Sequence, residues 1–263
     1  MSTYPVPPGA GWHPVTGGES GAAVFRSADG SRYAKCVPAG QRATLEAERD
    51  RVEWLNGSGI PGPEVLDWLA DDAGACLVTS TVPGVPADRL PAEQLKRAWT
   101  SITDAVRRLH ELPVDRCPFT WGLADMFDTA RDVVARGAVN PDFLPVEQQA
   151  TPPDELLARL EPQVGRRLDQ EAADTVVCHG DLCLPNIMLD PDTLRVTGFI
   201  DLGRLGRADR HADIALLLSN ARETWSSEER AAEADRAFAD RYGVEPDPDR
   251  LDFYLSLDPL TWG

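Results

Sequence analysis

Asp181, Asn186 and Asp201 are the residues whose types and spacing could carry chemistry. Asp181 and Asn186 stand five positions apart in "HGDLCLPN", and Asp201 follows in "GFIDLG". An amide oxygen and a carboxylate are hard donors of the kind Mg2+ takes alongside phosphate oxygens. With Asn186 and Asp201 in that role, Asp181 is left to act as a base. The surrounding stretch, "VVCHGDLCLPNIMLD", also crowds Cys178, His179 and Cys183 together, and these admit other readings. Structural zinc draws its ligands in separated pairs, whereas the four metal-capable residues here fall within six positions and no second pair follows. A cysteine nucleophile needs a base held near the thiol, and neighbours on an extended chain, such as Cys178 and His179, diverge. A buried strand ending in a loop accounts for Val176, Val177 and Cys178, and for His179 as a group that shapes the turn. It leaves Asp181, Asn186 and Asp201 unexplained as a set.

Elements must bring that set together. Two apolar runs, "NIMLD" and "LRVTGFIDL", flank a Pro-Asp-Thr turn and read as a hairpin. Its ends meet, which places Asn186 near Asp201. A base aspartate, an Mg2+-binding asparagine a few residues on and a DxG turn are the arrangement of a kinase. A kinase makes demands on the first third of the chain. It needs a strand lysine for the phosphates and a helical glutamate to hold that lysine. Lys35 lies in an expected strand (32–37) that follows a strand at 22–26 and an Asp29-Gly30 turn. The stretch "RATLEAERDRVEWLNGSG" reads as a helix ending at glycine. It offers Glu46, Glu48 and Glu53; Glu48 is the first choice for the partner of Lys35 and Glu46 the second. "GGESG" precedes the first strand and would offer backbone N–H groups and the Ser20 hydroxyl to phosphate. After two more strands, at 65–69 and 75–79, "TVPGVPA" breaks all periodicity, and the segment Ser80 to Gly84 joins the lobes, where exposed backbone could read an adenine edge.

The rest of the chain is mainly helical. Leu95, Trp99, Ile102, Val106 and Leu109 recur at helical spacing and mark one face of a long helix. Further helices are expected around 123–136, at 153–170, and over "ADIALLLSNARETW" and "EERAAEADRAFADRYG". The expected fold class is therefore α+β: a small β-rich lobe over residues 1–81 that binds nucleotide, and a larger helical lobe over residues 82–263 that carries catalysis and substrate. A cleft between lobes is a usual place for a ligand.

Bulk properties narrow the partners. The chain has 263 residues and a formal net charge of −17, which argues against nucleic acid or an anionic membrane as partner and permits a cationic ligand. The sequence shows neither a signal peptide nor an apolar run long enough to span a bilayer, so a cytoplasmic location is expected. Five scattered cysteines without a repeated CxxC predict no disulfide framework. Only two of 26 basic residues are lysines, Lys35 and Lys96, which suits Lys35 to a place where a compact ammonium is wanted.

The segments "GGESG", "EAERDRVEWL", "HGDLCLPN", "GFIDLGRLGRADRHADIA" and "FYLSLDPLTWG", together with Lys35, resemble the aminoglycoside phosphotransferases. That family has the protein-kinase-like two-lobed fold. The match spans almost the whole chain, and HGD and DLG replace the protein-kinase HRD and DFG. Within the family, "NPDFLP", "VVCHGD" and "LDPLTWG" look most like the streptomycin 3″-phosphotransferases, with the kanamycin/neomycin 3′-phosphotransferases second and other small-molecule kinases of the same fold as a further alternative. The resemblance implies ATP and Mg2+, a cationic aminoglycoside and no protein partner. It implies that Asp181 deprotonates the attacking hydroxyl and that Asn186 and Asp201 hold Mg2+. Lys35, paired with Glu48, would contact the ATP phosphates. Ser20 would cap the β-phosphate, and backbone groups of Ser80 and Val82 would bind adenine. It implies Arg204 near the catalytic loop and Asp213 tying that loop from behind. The implied substrate acids are Asp142, Glu147, Asp154 and Asp258.

Overall fold

The structure, a computed structural model, describes residues 7, 11–15 and 22–263. Strands β1 (Trp12–Pro14), β2 (Ala23–Ser27) and β3 (Arg32–Pro38) lead into helix α1 (Arg42–Ser58), then β4 (Val65–Asp71), β5 (Gly74–Ser80) and the short β6 (Val85–Pro86). Helices α2 (Ala92–His110), α3 (Leu123–Ala135), α4 (Pro153–Leu160) and α5 (Val164–Asp174) follow. The chain returns to strand in β7 (Thr175–Cys178), β8 (Ile187–Leu189), β9 (Val196–Phe199) and β10 (Gly206–Asp209). It closes with α6 (Arg210–Arg222), α7 (Glu228–Tyr242) and α8 (Pro248–Leu257). The architecture is α+β, as expected. The chain divides into two compact units: Met1–Ala87 with Asn186–Gly203, and Asp88–Pro185 with Arg204–Gly263.

In the first unit an antiparallel sheet runs in the order β1-β2-β3-β5-β4. Side chains alternate across a strand, so Ala34 and Cys36 of β3 join Cys76 and Val78 of β5 under Phe25 and Leu69. Val37, Ala75 and Leu77 face the other way and pack on Leu45 of α1. Lys35 shares that second face by the same alternation. Along α1 the buried positions are Leu45, Glu48, Val52 and Leu55, a helical stripe in which Glu48 is the one charged member. Gly59, with φ +81°, ends the helix in the left-handed conformation.

Cys36 and Cys76 face each other in the β3–β5 register and are joined as a disulfide. The sequence reading expected no disulfide framework and did not foresee this single pair; Cys117, Cys178 and Cys183 keep their thiols. Strands β3 and β5 are separated by a helix and a strand, so their register is not visible in the spacing of the two residues. The hairpin β8–β9 forms as expected and is joined by β6 in a three-stranded sheet. Gly84, at φ +119°, lets β6 approach it: a Cβ there would lie 2.3 Å from the Leu189 carbonyl oxygen.

In the second unit the predicted face of α2 is buried throughout, Leu95 to Leu109. The helix expected over 153–170 is two helices, α4 and α5, separated by a single turn at Glu161–Gln163. Pro162 lacks the N–H a continuous helix needs there. The main core gathers Leu123, Phe127, Leu156, Leu160, Phe253 and Leu257. Strand β10, which the sequence reading did not foresee, pairs antiparallel with β7. Asp209 follows as N-cap of α6, accepting from the His211 N–H.

Candidate active site

The first unit brings Lys35, Glu48 and Asp201 together. Lys35 Nζ donates to Glu48 Oε2 at 2.8 Å and to Asp201 Oδ1 at 3.2 Å. Burial pulls the Lys35 ammonium down, but the charges of Glu48 and Asp201 outweigh it and hold the group above the usual lysine range. Burial raises the Glu48 carboxyl against the opposing pull of Lys35. Glu46, the second choice, instead pairs with Arg49 at the surface. Asp201 takes a left-handed backbone, φ +58°, a conformation a non-glycine residue rarely adopts. Its carboxylate stays 47 % exposed. The Ile200 N–H donates to the Asn186 carbonyl at 3.0 Å, and the β8–β9 register sets Ile187 opposite Phe199. Asn186 thus sits across the hairpin from the residue that precedes Asp201. An amide oxygen and a half-exposed carboxylate at one hairpin end suit a hard cation.

Ser80 ends β5 with its N–H on the Glu64 carbonyl, 2.9 Å, and its Oγ accepting from the Glu64 N–H. Val82 is buried, and its own N–H and C=O make no hydrogen bond among the described residues. Ser20 and the rest of "GGESG" lie outside the described residues.

The second unit holds the loop of Asp181. Asp213 of α6 is fully buried and accepts from the N–H of His179 at 2.6 Å and of Gly180 at 2.9 Å. Burial opposes its charge, yet the hydrogen bonds from His110 and from the His179 backbone hold its carboxyl below the usual range. The Asp181 N–H points back to His179 Nδ1 at 3.3 Å. Gly180 has φ +82°, and a Cβ there would lie 2.2 Å from the Arg204 carbonyl oxygen, so glycine is required. Burial drives the Cys178 thiol well up, which removes it as a nucleophile. Cys178, His179, Asp181 and Cys183 form no metal-ligating group; the grouping found among the described residues is His110, Cys178 and Asp213.

Arg204 is sandwiched between Trp262, 3.5 Å from ring centroid to guanidinium, and Trp121 at 4.7 Å. It donates to Thr261 Oγ1 at 2.9 Å and to the Thr261 carbonyl at 3.0 Å, and pairs with Asp258 at 3.4 Å. Burial pushes the Asp258 carboxyl up to about 6, with Arg204 pulling against it and the Asp181 charge pushing it further. Asp258 and Asp181 therefore share one electrostatic neighbourhood. The other three acids expected to meet substrate are exposed. Asp142 lies in the single turn Pro141–Phe143, Glu147 in the loop after it, and Asp154 in the first turn of α4.

Residues 11–254 match the phosphotransferase enzyme family. The chain belongs to that family. Across 255 residues it is 71 % identical to the streptomycin 3″-kinase of Streptomyces griseus, covering 97 % of this chain and 94 % of the relative. It is 44 % identical to an aminoglycoside 3′-phosphotransferase of Streptomyces fradiae, covering 94 % of each. The structure of aminoglycoside phosphotransferase APH(3″)-Id from Streptomyces rimosus in complex with ADP and streptomycin superposes with a TM-score of 0.93 at 69 % identity, over 97 % of this chain and 94 % of that one. This phosphotransferase thus has the aminoglycoside-phosphotransferase fold expected from its motifs, and it is an enzyme.

Sequence reasoning missed two features beside the expected site residues of this phosphotransferase. One is the tryptophan pair around Arg204. The other is His110, which donates toward Asp213 at 3.1 Å. His110 falls four residues after Val106 on the buried face of α2, so its place on that stripe was the available signal. No helix among the described residues is long and apolar enough to cross a membrane.

Proposed function

We propose that this enzyme transfers the γ-phosphoryl group of ATP to the 3″-hydroxyl of streptomycin in the cytoplasm, where ATP is supplied. The observation that carries the reading is the 71 % identity to a streptomycin 3″-kinase over nearly the whole chain. The second reading, phosphorylation of the 3′-hydroxyl of a kanamycin- or neomycin-type aminoglycoside, rests on the 44 % identity to a 3′-phosphotransferase.

In this mechanism the Asp181 carboxylate accepts the proton of the attacking hydroxyl. The hydroxyl oxygen bonds to the γ-phosphorus, the bond from that phosphorus to its bridging oxygen breaks, and ADP leaves with the electron pair. Lys35, fixed by Glu48 at 2.8 Å, contacts the phosphates, and the backbone of Val82, with that of Ser80, meets the adenine. Asn186 and Asp201 would hold Mg2+, which when bound neutralises charge on the phosphate oxygens. Their hard oxygens, fixed at one hairpin end, fit that ion. The net charge of −17 and the acids Asp258, Asp142, Glu147 and Asp154 suit a polycationic acceptor. A phosphate of charge near −2 then replaces a hydroxyl donor on the drug.

An acceptor panel in a coupled ADP-release assay tests the substrate. Turnover on streptomycin with little on kanamycin is expected; turnover on kanamycin or neomycin alone would favour the second reading, and none on any aminoglycoside would overturn both. Asp181→Ala is expected to keep ADP binding and to lose more than a hundredfold in turnover, as for a positioned base. Near-normal turnover would remove Asp181 from that role.

A further inference from the structure

Asp213, which clamps the loop of Asp181, is itself held by a buried chain of polar groups. His110 Nε2 lies 3.1 Å from Asp213 Oδ2, and His110 Nδ1 lies 2.7 Å from the Tyr242 hydroxyl. His110, Tyr242 and Asp213 are all buried, and the outer end of the chain lines a cavity of about 180 Å³ with Arg107, Glu111 and Arg210. His110, Cys178 and Asp213 have the side chains of a metal site, but the carboxylate oxygens already take three N–H donors. The Cys178 thiol faces the Asp209 carbonyl.

The direction of this chain follows from its Asp213 end. An ionised carboxylate only accepts, so the imidazole proton sits on Nε2, facing Asp213. Nδ1 of the neutral ring then carries a lone pair, which takes the O–H of Tyr242. The other tautomer would set two lone pairs against each other in a buried place, which is costly. Asp213 in turn fixes the two backbone N–H groups immediately before Asp181.

We infer that His110 and Tyr242 are positioning residues for the phosphoryl transfer: Tyr242 holds His110 with its Nε2–H toward Asp213, which locks Asp213 and through it the turn that aims Asp181. The inference rests on the proposed reaction for its kinetic readout, so the test also includes a readout that needs no substrate.

Three variants separate the links. His110→Ala removes both bonds. His110→Gln keeps a side-chain N–H near the Nε2 position. Tyr242→Phe keeps the ring, which stacks on Phe238 with centroids 5.2 Å apart, and removes the hydroxyl that bonds His110 Nδ1. Turnover of streptomycin is measured per mole of enzyme that binds ADP, and amide hydrogen exchange is followed by peptide. For His110→Ala, turnover is expected to fall at least tenfold, with KM for ATP and streptomycin within about twofold of wild type. His110→Gln is expected to recover to within about threefold of wild type, and Tyr242→Phe to fall about three- to fivefold. Exchange should rise at residues 179–181 in His110→Ala and Tyr242→Phe while peptides of α3 and α8 keep their protection. Should His110→Ala fail to fold, Tyr242→Phe and His110→Gln carry the test. Unchanged turnover per binding-competent enzyme, or exchange that rises evenly over the second unit, would overturn the inference. If wild type does not phosphorylate streptomycin, the substrate reading falls and the exchange pattern alone decides the positioning role.

Discussion

Replacing Asp258 with asparagine is expected to stabilise the protein at neutral pH while weakening its hold on a cationic substrate. The side chain is 15 % exposed, and burial lifts its carboxyl from 3.8 to about 6, against Arg204 and with the charge of Asp181. A shift of about two units at ~1.4 kcal/mol each amounts to about 3 kcal/mol against the ionised folded form. The sign follows from proton uptake. Between pH 3.8 and about 6 the folded state keeps a proton that the unfolded state has released, so stability falls as pH rises through that window. Above it the penalty is present in full. Asp258→Asn cannot ionise and so avoids the penalty. Its amide oxygen can still accept from the Trp262 Nε1–H, which in the wild type lies 3.2 Å from a carboxylate oxygen. Arg204 loses its ion-pair partner, which lowers the expected gain to about 1–2 kcal/mol at pH 7.5. For a chain of this size that is a rise in melting temperature of about 3–6 °C. Thermal and urea denaturation of both proteins from pH 4 to 8 measures it. The gap should open between pH 4 and 6, and KM for streptomycin should rise in the variant at pH 7.5. A variant less stable at pH 7.5, or a gap of equal size at pH 4 and 7.5, would refute the assignment of burial as the dominant effect on Asp258.

Glu48→Gln leaves Lys35 with Asp201 as its charged neighbour and is expected to raise KM for ATP about tenfold, since the ammonium shifts toward the carboxylate that would hold Mg2+; steady-state kinetics at varied ATP checks this, and Glu46→Gln, at the surface pair with Arg49, serves as the control with KM unchanged. Gly180→Ala would place a Cβ 2.2 Å from the Arg204 carbonyl oxygen at φ +82°, so turnover is expected to fall at least a hundredfold with ADP binding retained, read by calorimetry beside the activity assay.

What was legible in the sequence was what depends on local pattern. Asp181, Asn186 and Asp201 stood out because a loop and a two-stranded hairpin are short-range structures whose ends must meet. Glu48 was the first choice over Glu46, and the structure sets it on the buried stripe Leu45, Glu48, Val52, Leu55. What escaped was set by contacts far apart in the chain. The Cys36–Cys76 bridge depends on the register of strands separated by α1 and β4. The hairpin Asn186–Gly203 counts with the N-terminal unit through contacts such as the Phe199 N–H on the Pro61 carbonyl, 3.0 Å, which no periodicity signals. The buried chain from Tyr242 through His110 to Asp213 joins α7, α2 and α6, and only the packing of those helices reveals it.

The same division explains why the acids proposed to meet substrate are the least determined part of the site. Asp258 is fixed by the tryptophan-lined Arg204 and by its burial, and its raised carboxyl is a physical signature of a charge kept where it is costly. Asp142, Glu147 and Asp154 sit on a proline-broken stretch, exposed. An exposed carboxylate about 4 Å from a cation is worth only ~1 kcal/mol in water and several where solvent is partly excluded. Each of these three therefore matters to a cationic drug only if binding excludes water around it, whereas Asp258 is already poised. Substrate affinity should accordingly be far more sensitive to Asp258→Asn than to the same change at Asp142 or Asp154. A KM for streptomycin that responded equally to all three would place the determinant of recognition on the exposed stretch instead of beside Asp181.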